Sequence, residues 1–183
     1  REFYPEVMTT DLNPFPSTQL VCDATRLPFA DGSVGSFIAV AFFHHCVNAK
    51  QLFGEVGRAL KPGGRFVIYD PYISPVARLV YAVATEEDLD LSEPPFETDR
   101  RAANVPLLEA NVARGTLVFG RHRRLFEQTF PGLRVESVDR INLFRHIVAG
   151  SCVQRSPFPG WLYPVAGFID RALHPVRGLT AMA

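Results

Sequence analysis

Cysteine, lysine and long apolar runs are all scarce in this chain. The three cysteines, Cys22, Cys46 and Cys152, are scattered and form no CxxC pair, which argues against a thiolate zinc site and gives no disulfide framework. A reducing cytoplasm is the expected compartment. No run reaches the roughly 20 apolar residues that span a bilayer, and Arg1-Glu2-Phe3-Tyr4-Pro5 lacks the basic, apolar and small-residue zones of a signal peptide; the protein is read as soluble. Net charge is absent too: 19 basic residues balance 19 acidic ones, so nucleic acid gains no whole-protein attraction and is not an expected partner. Among the basic residues only Lys50 and Lys61 are lysine, a bias that hints at a GC-rich bacterial genome. No Ser-His-Asp or phosphate-loop signature is present.

What is there suits one domain. The 183 residues are 47% hydrophobic and 21% charged, enough to bury a single core and too apolar for disorder. Short apolar runs predict strands over Glu6–Thr10, ended by Asp11, over Gln19–Cys22, ended by Asp23, and over Ser36–Ala41. Leu52, Phe53, Val56 and Leu60 recur at helical spacing and predict a helix over Ala49–Leu60. Lys61-Pro62-Gly63-Gly64 stops it, and Arg65–Tyr69 follows as a buried strand ending at Asp70. Strand, helix, glycine turn and strand make a βαβ unit, hence a parallel sheet covered by helices. Further on, helices are expected over Val76–Ala84 and Arg121–Phe130, with an irregular acidic excursion over Glu86–Asn104 between them. Leu133–Leu143 and His146–Cys152 read as two closing strands paired antiparallel. Trp161, Leu162, Val165, Phe168, Ile169 and Leu173 fall on an amphipathic tail helix broken near its start by Pro164, which could pack on the core or offer a peripheral membrane contact.

Two successive strands ending in a carboxylate are what a nucleotide-like ligand requires, because open α/β sheets bind beyond the carboxyl ends of their strands. A carboxylate at the first position, Asp11, can accept from both ribose hydroxyls; one at the next, Asp23, can accept from an adenine amino group. For either residue alone the plain alternative is a polar cap on a turn.

The surrounding residues are more specific. Asp23-Ala24-Thr25-Arg26-Leu27-Pro28-Phe29, then Phe43-His44-His45, then Glu55, then Leu60-Lys61-Pro62-Gly63-Gly64-Arg65-Phe66-Val67-Ile68 resemble, in that order, the type 11 class I S-adenosylmethionine-dependent methyltransferases. The resemblance covers Tyr4 to Tyr72 closely and the remainder loosely. It implies a doubly wound, mostly parallel α/β sheet of the class I methyltransferase type, closed by the antiparallel C-terminal hairpin, with S-adenosyl-L-methionine as cofactor. It implies that Asp11 binds the ribose with Leu12 as apolar neighbour of the adenine, that Asp23 and the Ala24 amide meet the adenine amino group, and that Val40, Ala41 and Phe42 face the methionine arm and the sulfonium. The chain departs from the family in one respect: nothing before Arg1 supplies the first strand and Gly-rich turn that approach the methionine part, so a truncated methyltransferase domain is expected. That strand belongs between the one ending at Asp11 and Phe37–Ala41. Within it, residues 1–72 would form the cofactor-binding part, 73–132 the substrate-pocket insertion and helices, and 133–183 the closing strands and apolar tail.

The function implied is methyl transfer to a small-molecule oxygen, nitrogen or carbon nucleophile. The alternative is a degenerate, non-catalytic methyltransferase-fold module retained for interactions. A nicotinamide-dependent oxidoreductase also ends its second strand in an acid, but would lack Asp23-Ala24 and Leu27-Pro28-Phe29. His44 and His45, near the crevice mouth, are the candidate catalytic residues, since imidazole is the usual general base at neutral pH; against this stands a packing role, because transfer from a sulfonium needs mainly alignment and desolvation. Arg121, His122, Arg123 and Arg124 could hold an acceptor phosphate or carboxylate but suit a solvated helix face better. Glu86, Glu87, Asp88 and Asp90 read as a solvated acidic loop, with no histidine nearby in sequence to make a metal site.

Overall fold

The computed structural model describes residues 7–46, 48–84, 87–96, 110–141, 144–149 and 158–181. Strand β1 (Thr10–Asp11) pairs in parallel with β2 (Leu20–Val21), and β3 (Val34–Val40) in parallel with β4 (Leu60–Tyr69). The parallel α/β organisation expected from the βαβ pattern is therefore present. Among the described residues no ladder joins the two pairs. Glu6, the start of the first predicted strand, lies outside the described residues.

Helix α1 (Ala49–Ala59) begins where Asn48 Oδ1 accepts from the Gln51 amide at 3.0 Å, which satisfies one of the donors that a helix start leaves open. Its stripe of Leu52, Phe53, Val56 and Ala59 is fully buried. Because strand side chains alternate between faces, Phe37, Phe66 and Ile68 pack against that stripe while Ile38, Val40 and Val67 point the other way, 67%, 63% and 52% exposed. Phe53 is the hub of the core, with the rings of Phe126, Phe43, Phe130 and Phe119 centred 4.9, 5.4, 5.4 and 5.9 Å away.

The Lys61–Gly64 stretch, expected as a plain turn, instead opens β4. The ladder resumes at Leu60, with a register shift between Val34 and Ser36. Gly63 takes φ 76°, and a Cβ on Gly64 would lie 2.9 Å from the carbonyl oxygens of both Gly35 and Lys61; only glycines permit this bulge. The Leu27-Pro28-Phe29 segment is tied to α1 by polar contacts. Glu55 Oε2 accepts from the Leu27 amide at 2.9 Å, and Arg58 donates to the carbonyls of Phe29 and Leu27 at 2.7 and 3.1 Å and to Asp31 at 2.7 Å.

Helix α2 (Pro75–Ala84) matches the expected helix, and Ser74 Oγ accepts from the Ala77 amide at its start. The helix predicted over Arg121–Phe130 is present as α3 (Arg123–Thr129), preceded by a π-helical turn, Thr116–Arg121. The arginine run splits accordingly: Arg121 donates to the Leu91 carbonyl, and Arg123 pairs with Glu127 at 3.3 Å.

The antiparallel closing hairpin is not formed among the described residues. Residues 133–141 make no strand, and helix α4 (Phe144–Ala149) takes in the start of the second expected strand, His146–Cys152; residues 142–143 and 150–157 lie outside the described residues. The apolar run there has no fixed period, so tertiary contacts decide its conformation. Asp170 accepts from the Phe144 and Arg145 amides at 2.8 and 3.2 Å, capping α4 from helix α5 (Leu162–Ala172). Pro164 does not break α5, because it sits in the first turn, where its missing N–H has no partner to lose. Ala166, Gly167 and Asp170 face inward, while Trp161, Val165 and Phe168 face outward and are exposed. A short α6 (Arg177–Thr180) follows. No helix among the described residues is long and apolar enough to cross a membrane.

Replacing Phe53 with Ala removes the side chain that joins α1, β4 and α3, and should cost about 3–5 kcal/mol of unfolding free energy. Urea denaturation followed by far-UV circular dichroism measures it; a loss below 1 kcal/mol would contradict the central place of this ring.

Candidate functional site

The carboxyl ends of the strands carry the site. Asp11 closes β1, and the Cys22 amide donates to its carbonyl at 2.9 Å, so Asp23 follows directly at the same end of the neighbouring strand. Each carboxylate caps its own turn: Asp11 Oδ1 accepts from the Asn13 amide at 2.8 Å, and Asp23 Oδ1 from the Thr25 amide and hydroxyl at 2.8 and 2.7 Å. The turn-capping role is thus real for both. It uses one oxygen, and Oδ2 of each has no hydrogen-bond partner among the described residues. Leu12 is exposed beside Asp11, and Ala24 is half-buried against the main core.

At the end of β3, Val40 is exposed and Phe42 turns partly onto the core. Between them Ala41 has φ 48°, the one left-handed non-glycine among the described residues. Such a conformation costs an alanine about 1–2 kcal/mol. It is held from both sides: the Ala41 amide donates to the Tyr69 carbonyl at 2.8 Å, and the Phe43 amide to Asp70 Oδ1 at 3.0 Å.

Asp70, at the end of β4, also fixes His44. Its Oδ1 lies 2.9 Å from His44 Nδ1, and since a carboxylate only accepts, that nitrogen is the donor; in the neutral ring Nε2 is then the acceptor. His44 Nε2 and His45 Nε2 each lie 3.9 Å from Glu87 Oε1, and the two rings are centred 4.1 Å apart. His45 Nδ1 and Asp70 Oδ2 are buried with no hydrogen-bond partner among the described residues. A Cβ on Gly115 would stand 3.2 Å from the Pro71 carbonyl and 3.8 Å from Asp70 Oδ2, so glycine lets this segment close over the carboxylate.

A buried polar frame supports the loop from below. Arg114 donates to the carbonyls of His44 and Cys46 at 2.9 and 2.6 Å and pairs with Glu93 at 2.9 Å, both side chains 5% exposed or less. Asn111 binds the Asp90 carbonyl through Nδ2 at 2.8 Å and also contacts Glu93. A buried ion pair of this kind fixes a conformation more than it adds stability.

Burial, aided by neighbouring His44 and Arg114 and opposed by Asp70, holds the His45 imidazole down to about 4, from an ordinary 6.5, so it is neutral at neutral pH. Burial pushes the Cys46 thiol up to about 11, with the carboxylates of Asp23 and Asp70 both contributing. The thiol is therefore no nucleophile, and the ends of β2 and β4 act on one point.

Residues 5–68 match a protein family described as a methyltransferase domain. The chain is 44% identical over 64 residues to the ubiquinone/menaquinone biosynthesis C-methyltransferase UbiE of Desulfotalea psychrophila, covering 33% of this chain and 24% of that protein. It is also 38% identical over 53 residues to sterol methyltransferase-like 1 of Botryococcus braunii, covering 29% of this chain and 14% of that protein. The chain thus spans a quarter or less of these relatives' length. No solved structure matches it.

Asp70, Glu87 and Arg114 are members of the site that sequence reasoning missed. Asp70 carries the same signal as Asp11 and Asp23, an acid ending a strand. Glu87 is far from His44 in sequence, and only the fold brings them together.

Because the folded pKa of His45 lies below its unfolded value, its contribution to stability is fully present above pH 6.5 and is lost as pH falls toward 4. The loss should be at most about 3–4 kcal/mol, at about 1.4 kcal/mol per unit. Thermal melts across this window should show a steeper acid decline in the native chain than in His45→Gln; parallel curves would contradict a neutral buried imidazole.

Proposed function

We propose that the protein binds S-adenosyl-L-methionine across the ends of β1, β2 and β3 and that its activity is methyl transfer to a small-molecule acceptor. The observation that carries this reading is the pair of carboxylates at one end of two hydrogen-bonded parallel strands, each with one oxygen anchored in its own turn and the other turned to no protein donor among the described residues. Two such oxygens fit the hydroxyls and amino group of an adenosyl moiety, since both are hydrogen-bond donors. In this reading Asp11 takes the ribose with Leu12 against the adenine, Asp23 and the Ala24 amide take the adenine edge, and Val40, Ala41 and Phe42 border the methionine arm.

The cofactor, when bound, supplies an electrophilic methyl group on a sulfonium. The chain's contribution is alignment and exclusion of water. The strained Ala41 turn directs the chain into the His44–His45 pair, which meets the acceptor and can engage its heteroatom or accept its proton through the bare Nε2 of His44 or the neutral ring of His45. The first relative's name favours carbon among the oxygen, nitrogen and carbon nucleophiles open to this chemistry. The outward apolar residues of α5 support an acceptor met at a lipid surface.

Titration calorimetry with S-adenosylhomocysteine, on this chain and on a form that includes upstream coding sequence, tests the reading. Saturable binding is expected, weakened about tenfold or more by Asp11→Asn and again by Asp23→Asn, the size of a lost charge-assisted hydrogen bond. Absence of binding in both forms would favour a non-catalytic module instead, and unchanged affinity in both variants would remove the assigned roles.

A further inference from the structure

Where the loop after β3 meets the segment after α2, the structure assembles a ligand set. We propose that His44, His45 and Glu87 form a binding site for a single divalent transition ion of the zinc or cobalt type. Ligand atoms of these three residues lie within 4.8 Å of one another, the one such group among the described residues. Both imidazole Nε2 atoms stand 3.9 Å from the same oxygen, Glu87 Oε1. In a tetrahedral zinc site with bonds near 2.0–2.1 Å, ligand atoms are about 3.4 Å apart, so separations of up to 4.8 Å need to contract by at most about 1.4 Å.

The supporting residues favour coordination. A metal-binding imidazole ordinarily gives its other ring nitrogen to a carboxylate, which fixes the tautomer and raises the basicity of the ligating nitrogen. His44 has that arrangement: Nδ1 donates to Asp70 Oδ1 at 2.9 Å, and both side chains are 5% exposed. The same Asp70 oxygen accepts from the Phe43 amide, which holds the carboxylate in place. The nearby cation, Arg114, is spent on Glu93 and on two backbone carbonyls. Two histidines and one carboxylate leave a coordination position open. Ion binding rests on these residues alone; the role it would have, polarising an acceptor oxygen at the crevice mouth, rests on the reading given under Proposed function.

The full, untagged chain, stripped with chelator, is titrated with Co2+ while its visible absorption is recorded, and Zn2+ is then added in competition. One equivalent should bind, with the visible bands of low-coordinate cobalt, and Zn2+ should bleach them. His45→Ala and Glu87→Gln should each weaken binding about tenfold or more, and Asp70→Asn, acting through His44, by about 10–100-fold, with far-UV circular dichroism unchanged in Glu87→Gln, whose side chain is half-buried and outside the core. No saturable binding near one equivalent, or native affinity in both Glu87→Gln and His45→Ala, overturns the proposal. S-adenosylhomocysteine titrated into the metal-free chain reads the adenosyl site separately, so failure of one site is not mistaken for failure of the other.

Discussion

The carboxylate of Asp70 organises the carboxyl end of the β3–β4 ladder. With one oxygen it takes the amide of Phe43 and the imidazole of His44, which ties the loop leaving β3 to the strand beside it. The left-handed turn at Ala41 is otherwise unfavourable and is held by this tie and by the bond to the Tyr69 carbonyl. On the far side, Arg114 clamps the carbonyls of His44 and Cys46. The loop is therefore overdetermined, as a strained backbone has to be. Phe43 turns into the aromatic core beneath, His44 is buried beside Asp70, and His45 stays partly exposed. Packing and site geometry thus share one short segment.

Much of the first third of the chain was legible in the sequence, because its signals are local. The stripe of Leu52, Phe53 and Val56 has one period and one interpretation. Asp11 and Asp23 could be placed at strand ends from the runs before them. The Leu27-Pro28-Phe29 segment and Glu55 could be recognised by resemblance, yet their physical role, a mutual anchor of loop and helix through the Leu27 amide, needed the structure.

The later chain was less legible for a physical reason. The stretch from Leu133 to Cys152 is apolar without a strong period, and its local preference for strand is overridden at Phe144–Ala149 by a cap that Asp170 supplies from another helix. Pro164 looked like a breaker because sequence does not show that it falls in a first turn. Glu87 read as part of a solvated acidic loop because the residues that give it meaning, His44 and His45, lie on another element. Long-range polar contacts of this sort have no sequence period to betray them.

The central claim, that Asp70 holds His44 in the Nδ1–H tautomer with a bare Nε2 facing Glu87 and His45, is tested most directly by nitrogen-15 NMR of the histidine rings in the labelled chain. A donor shift at Nδ1 and an unprotonated shift at Nε2 for His44, lost in Asp70→Ala, are predicted. A protonated Nε2 in the native chain, or a tautomer indifferent to removal of Asp70, would contradict it.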